Sequence, residues 1–360
     1  MLAIGSTYHR ISRRPAVVFA VLTAALACAA APVHGAAAAD LVVSGGGFGH
    51  GVGMSQQGAL GYAEHGWSYQ QILAHYYVGT SIGAAPPNVK VRVLIAGKVH
   101  QVALESYVRG VVSAEMSSGW PLAALEAQAV ASRTYALTAH AGGAKFDVYA
   151  DTRSQVYRGV AARTPQTDAA VAATVGQIVT YAGKPATTYF FASSGGRTED
   201  VQNSFLGSQP QPWLRSVVDQ YERGDLHTWK LTLSFASAAA KLRGLVRGRF
   251  EGIEVVRRGV SPRIVAANVL GSNGPTAVSG PALAARLGLY STWAYFSTSE
   301  GQANTPEPDR SGPSRSSAPA PAVAAPSGEH SGGVAAGTSP EAVAASSGPS
   351  SGGVLGPSGA

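Results

Sequence analysis

Hydrophobic and polar positions divide the chain into three stretches. Residues 1–39 begin basic, with Arg10, Arg13 and Arg14, and run on into an apolar segment from Ala16 to Ala31. Residues 40–300 mix period-two and helical apolar patterns. Residues 301–360 carry almost no large apolar side chains. In the middle stretch, Leu41–Val43 reads as a short strand. Met54–Ala63 and Tyr69–Tyr77 read as short helices, with Ser68 as N-cap of the second. Val89–Ile95 alternates and reads as a strand. Residues 105–112 predict a helix that ends near Glu115. Pro121 fits the first turn of the next helix, Leu122–His140, which stops at Gly142-Gly143. Strands are expected at Gln177–Tyr181 and Thr187–Phe191, then near 229–234, 252–257 and 262–269. Helices are expected near 235–243 and 281–287. No regular βαβ rhythm emerges, so the expected class is α+β.

The two flanks change the picture. The basic start, the apolar run and the small residues of Ala36–Ala39 predict an export signal, cleaved near Ala39 and before Asp40. Ser12-Arg13-Arg14 fits a twin-arginine signal poorly. Residues 301–360, rich in Pro, Ser, Gly and Ala, cannot offset their ordering entropy by burial and are expected to be disordered. The expectation is one folded domain over residues 40–300. It comprises a glycine-rich block (41–82), a central core (88–220) and a smaller α/β portion (225–300).

Cys28, the one cysteine, lies in the leader. The mature chain therefore has no disulfide, no thiolate metal site and no cysteine nucleophile. The whole chain has 27 basic and 20 acidic side chains, a net charge of +7. With three basic residues in the leader, and two basic and four acidic in the tail, the folded part keeps +6. A mildly basic exported domain suits an anionic polymer such as cell wall. Its charges are scattered, and export argues against nucleic acid.

The run Tyr107–Leu137 is the richest in chemistry. Glu115 stands between an apolar stretch (Val108, Val111, Val112) and a Trp-Pro turn. A carboxyl group with such neighbours tends to keep its proton, because burial disfavours the anion. Glycosidic cleavage needs a protonated acid of this kind. On residue physics alone, a solvated glutamate at a helix end is the commoner reading.

This run resembles the core motif of the SpoIID/LytB family, secreted bacterial proteins that act on peptidoglycan. Ser154-Gln-Val-Tyr-Arg-Gly159, Tyr189-Phe-Phe-Ala-Ser-Ser-Gly-Gly-Arg-Thr-Glu199 and Pro212-Trp-Leu-Arg-Ser-Val217 continue the resemblance in the family's order. It implies that Glu115, in Ala-Glu-Met, is the catalytic acid/base of a lytic transglycosylase. Such an enzyme cleaves the β-1,4 bond between N-acetylmuramic acid and N-acetylglucosamine and leaves 1,6-anhydro ends. The LytB side of the family implies an alternative, a non-catalytic wall-binding protein that enhances an amidase. Either way the expected partner is peptidoglycan glycan. Relatives that carry a histidine at the position of Ala192 have potential zinc ligands there. Ala192 is no ligand, so neither metal nor cofactor is expected.

Other candidates remain two-sided at this level. Arg133 reads as a surface cation or as a bidentate clamp on the lactyl carboxylate of muramic acid, with Gln128 a weaker candidate for the same cleft. Ser193 and Ser194 precede two glycines and allow close backbone approach to a ligand. Trp213 and Arg215 stand two apart and would share one face of an extended segment, a sugar platform. Gln155 and Tyr157 have the same spacing.

Gly47-Phe-Gly-His-Gly-Val-Gly-Met-Ser-Gln-Gln-Gly-Ala59 resembles a further motif of the family, one that closes the domain in many relatives. Here it comes before the core motif, so the order implies a circular permutation. In that case His50, Met54 and Gln56 fold back beside Glu115, with His50 a second proton carrier, a substrate contact or a structural histidine.

Overall fold

The computed structural model describes residues 40–299. The expected signal with its cleavage point near Ala39, and the expected disordered tail at 301–360, lie outside the described residues. Helices and strands are mixed without a repeating unit, and the fold is α+β.

The chain enters on β1 (Asp40–Gly46) and crosses the glycine-rich loop to the two-residue β2 (Met54–Ser55). Helices α1 (Gln56–Glu64) and α2 (Tyr69–Tyr76) follow. Ser55 caps α1 by accepting from the Gly58 N–H at 3.0 Å. Ser68 caps α2 in a reciprocal box with Gln71, as its sequence predicts.

Next come β3 (Ser81–Ala84), β4 (Lys90–Ile95) and β5 (Lys98–Ala103). Ala96 and Gly97 close the β4–β5 hairpin with φ of 47° and 81°, the left-handed pair that a two-residue turn requires. Helices α3 (Leu104–Glu115) and α4 (Leu122–Thr138) then pack on each other. After β6 (Val148–Tyr149), α5 (Pro165–Ala173) opens with proline behind a Thr164 cap. It was not expected, although Thr164-Pro165 carries its start signal. The chain continues through β7 (Gln177–Tyr181), β8 (Lys184–Pro185), β9 (Phe190–Phe191) and α6 (Val201–Ser204). The strand expected at Thr187–Phe191 is thus two residues long.

α4 is the spine of the first core. It packs against α1, α2, α3, α5 and β7, and its alanines let them approach on nearly every side. Val52, Tyr62, Ile72, Tyr107, Val111 and Leu125 are among the side chains buried around it. Full burial of each such valine or leucine contributes about 1.5–3 kcal/mol.

The last part holds β10 (Thr228–Ser234), α7 (Phe235–Lys241), β11 (Phe250–Arg258), β12 (Ile264–Gly271), β13 (Thr276–Ser279), α8 (Gly280–Leu287) and β14 (Ala294–Thr298). β1 lies between β10 and β14, antiparallel to both. Its Leu41 and Val43 sit in a second core with Trp229, Phe250, Ile253 and Leu283. Among the described residues the first strand therefore belongs to a sheet with the last strand, and the glycine-rich loop leads from it to the first core.

Candidate active site

Glu115 is the last residue of α3, whose Tyr107, Val108, Val111 and Val112 face the first core. The helix stops because Met116 turns extended (φ −128°, ψ 149°) ahead of the Trp120-Pro121 turn. The Glu115 side chain is partly buried at that end. Its Oε1 accepts from the Val156 backbone N–H at 2.6 Å, and its Oε2 accepts from Gln56 Nε2 at 3.1 Å. Burial raises its pKa above the usual carboxylate value, and the two donors partly offset that rise. Among the described residues it forms no ion pair.

Three segments far apart in sequence thus meet on one carboxyl group. Gln56 is the first residue of α1 and is buried. Parallel pairing of Met54 with Phe190 and Ser55 with Phe191 sets where α1 begins. Val156 lies in a loop held by Tyr157, whose ring stacks on Tyr107 at 5.0 Å between centroids. Gly110 makes that stack possible, since a Cβ there would lie 2.6 Å from the Tyr157 ring.

The sequence profile of the SpoIID family (stage II sporulation protein) matches residues 95–181. This stretch is similar to the SpoIID family. Over 176 residues the chain is 31% identical to the stage II sporulation protein D of Bacillus subtilis, covering 44% of this chain and 50% of that protein. It is 35% identical over 127 residues to the amidase enhancer of Bacillus subtilis, 35% of this chain and 17% of that one. An uncharacterised protein of Brachyspira hyodysenteriae is 38% identical over 140 residues, 38% of each chain. The chain thus spans half or less of the length of these relatives. The SpoIID stretch holds Glu115 and Val156, and Gln56 reaches it from outside.

The other candidates inside the SpoIID stretch point inward. Arg133 is fully buried and makes a two-pronged ion pair with Glu105, Nε to Oε1 and Nη2 to Oε2, both at 2.8 Å. Its Nη1 donates to the Gln177 carbonyl at 2.9 Å. The expected clamp on a sugar carboxylate is therefore corrected: the guanidinium is already occupied, because a buried cation needs a partner. Gln128 and Gln155 are also buried and meet at Ser132, one donating to its Oγ at 2.9 Å and the other to its carbonyl at 3.2 Å. Both are interior hydrogen-bonding groups rather than contacts for a glycan.

Outside the SpoIID stretch the pattern is similar. His50 uses both ring nitrogens, Nδ1 accepting from the Val52 N–H at 3.1 Å and Nε2 facing the Phe190 carbonyl at 3.1 Å. Burial brings its pKa down to about 4. It is a neutral structural histidine, and the readings as proton carrier or substrate contact are corrected. Ser193 and Ser194 are buried too. Ser193 Oγ donates to Glu222 at 2.7 Å, and Ser194 Oγ accepts from the Gly196 N–H at 3.0 Å. The close approach that this loop permits is made by the protein itself: a Cβ on Gly195 would lie 2.8 Å from the Gly47 nitrogen. Trp213 Nε1 donates to the Thr187 carbonyl at 3.0 Å, and its ring leans on Tyr181. Arg215 pairs with Asp200 at 3.3 Å, its side chain about half exposed. Of the expected group, Gln56 is the side chain hydrogen-bonded to Glu115.

Sequence reading missed one partner of Glu115 and several buried charged groups elsewhere in the domain. Val156 acts through its backbone and gives no side-chain signal. Glu199, fully buried, accepts from the N–H groups of Asp200, Val260 and Ser261 and from Asn203 Nδ2. Arg263, 1% exposed, donates to the Ser194 and Arg197 carbonyls at 2.9 and 2.8 Å. Glu222 takes Ser193 on one oxygen and His227 on the other. Nearby, Asp219 accepts from the Tyr76 hydroxyl at 2.8 Å, and burial pushes its pKa up to about 6.

Proposed function

We propose that the protein is a peptidoglycan lytic transglycosylase in which Glu115 is the single acid/base. What carries this reading is the Glu115 carboxyl, whose pKa burial raises and which is held at both oxygens by Val156 and Gln56. Neutral Glu115 gives its proton to the glycosidic oxygen as the bond from that oxygen to C1 of N-acetylmuramic acid breaks. The C6 hydroxyl oxygen of the same sugar bonds to C1, and its proton passes to the Glu115 carboxylate. The acid is regenerated and the sugar ends as a 1,6-anhydro ring. Hydrolases of the two-carboxylate kind need a second acid at a set separation. One carboxyl held by an amide and a backbone N–H suits the intramolecular route.

A second reading has its own support, the similarity to an amidase enhancer. In that reading the domain binds wall glycan and raises the activity of a partner amidase. Incubating the protein with intact and with peptide-stripped glycan, followed by mass spectrometry, separates the two. Anhydro-muramyl ends from wild type and none from Glu115→Gln are the expected result. No new ends, with wall binding retained, would favour the enhancer.

The proposal includes export to the cell wall, with cleavage near Ala39; N-terminal sequencing of the secreted protein tests it. It also includes the permuted motif order. Supporting that order, Asp40 and Ser299 are joined by two hydrogen bonds of 3.0 Å, so the ends of the domain meet.

A further inference from the structure

An acid that cycles through its anion makes opposite demands on its neighbours. The neutral form needs an acceptor for its O–H, and the anion needs donors. Val156 presents a backbone N–H to Oε1, and a backbone N–H can only donate. Oε1 is therefore the oxygen that stays without a proton. The proton of neutral Glu115 belongs on Oε2, the oxygen that faces Gln56.

A lysine or arginine at position 56 would oppose that proton, and a carboxylate would oppose the anion. A carboxamide carries a donor and an acceptor on the same carbon, exchanged by a half-turn of its last torsion. Gln56 is also well fixed. It opens α1 and is 7% exposed, with the Ser55 cap and the β2–β9 pairing immediately before it. Among the described residues its side chain makes one hydrogen bond, the one to Glu115.

We propose that Gln56 is a two-way positioning residue for Glu115. Its Nε2 donates to Oε2 of the anion, and after a half-turn its Oε1 accepts from Oε2–H of the neutral acid. When substrate arrives, the glycosidic oxygen replaces the amide oxygen as the acceptor of that proton. As the carboxylate forms, the amide turns its N–H toward it. The proposal rests on the acid/base reading of Glu115. The titratable group facing Glu115 from α3 is Tyr107, which stacks on Tyr157 and whose hydroxyl burial holds in its protonated form.

The test is a pH titration of the full-length protein by NMR, following the Glu115 carboxyl carbon and the Gln56 side-chain amide together. In wild type the Gln56 amide resonances are expected to shift with the same midpoint as the Glu115 carboxyl, and Glu115→Gln abolishes that shift. A hydrogen bond to an anion is stronger than one to a neutral acid. Gln56→Met is therefore expected to make Glu115 about tenfold weaker as an acid. It should also move the alkaline limb of the rate profile to higher pH, cutting kcat more than KM. A Gln56 amide that stays flat while Glu115 titrates overturns the proposal, and this measurement needs no variant to fold. If wild type forms no anhydro ends, the transglycosylase reading fails while the titration still decides the role of Gln56.

Discussion

Arg133 and Glu105 hold each other in a two-pronged ion pair at 2.8 Å, with the arginine fully buried and the glutamate at 29% side-chain exposure. Glu105 stands in the first turn of α3, the helix that ends on Glu115, and also takes the Gly176 N–H at 3.2 Å. Removing one member leaves the other without its partner. Glu105→Ala is expected to cost about 3 kcal/mol of stability, read from urea unfolding. Arg133→Met should cost less than Glu105→Ala, because it leaves no buried charge. If Arg133 bound the substrate, its replacement would raise KM without lowering stability, and that result would restore the clamp.

Asp219 gives a pH signature. Its carboxyl is raised from 3.8 to about 6, first by burial, with Glu222 adding to the rise. A raised pKa means that the native state prefers the protonated form. The stabilising contribution is complete below about pH 4, and it is lost as pH rises toward 6. Asp219→Asn should keep the Tyr76 hydrogen bond and lack this slope. The difference in unfolding free energy between the two proteins should change by up to roughly 3 kcal/mol across that window, in the variant's favour. Parallel stability curves from pH 4 to 7 would refute it.

Gly47 lies where the glycine-rich loop meets the Ser193–Ser194 loop, next to the backbone bridge of Phe48 with Ser193. Its φ is +74°, and a Cβ there would lie 2.6 Å from the Ser193 carbonyl oxygen. Its own carbonyl accepts from Trp229 Nε1 at 2.8 Å. Gly47→Ala should destabilise by about 1–3 kcal/mol, since both the backbone angle and the contact are unfavourable. Thermal unfolding reads the loss. Gly66 also has a positive φ, but open space around it, so Gly66→Ala should cost less.

Arg263 reaches from the last part of the described residues to the Ser194–Arg197 loop. Burial lowers its pKa to about 10, so it remains charged at neutral pH. It packs between Phe191 and Trp293 and donates to three oxygens, of Arg197, Ser194 and Ser261. Arg263→Met should lose about 3 kcal/mol by leaving those acceptors unsatisfied. Arg263→Lys should not rescue it, because an ammonium cannot span the same fork. Amide exchange at residues 193–197 is expected to rise in both variants, and unchanged exchange there would count against this role.

Much of the fold was legible because helix signals are local. Ser68, Pro121 and the alternation ahead of Ile95 marked elements that the structure contains. The β5 arm was not legible, since most of its side chains are exposed and it has no apolar rhythm. The partnership of β1 with β10 and β14 was hidden for another reason: pairing across more than 180 residues leaves no mark in either strand. Of the site, Glu115 and Gln56 could be read from motifs. The inward aim of Arg133 and Gln128 could not, because α4 is buried on nearly every side and its alanine pattern does not mark a wet face; nor could that of Gln155, a loop residue that turns in to the Ser132 carbonyl.

The junction at Asp40 and Ser299 bears on how the domain would carry load. Leu41 faces Thr298 and Gly45 faces Ala294, so the two ends of the domain lie at one end of the same strand pair. Tension applied between Asp40 and Ser299 would part that pair rung by rung, like a zip, instead of shearing all its rungs together. A domain stretched from both sides would therefore yield at low force, starting with the sheet that holds Leu41 and Val43.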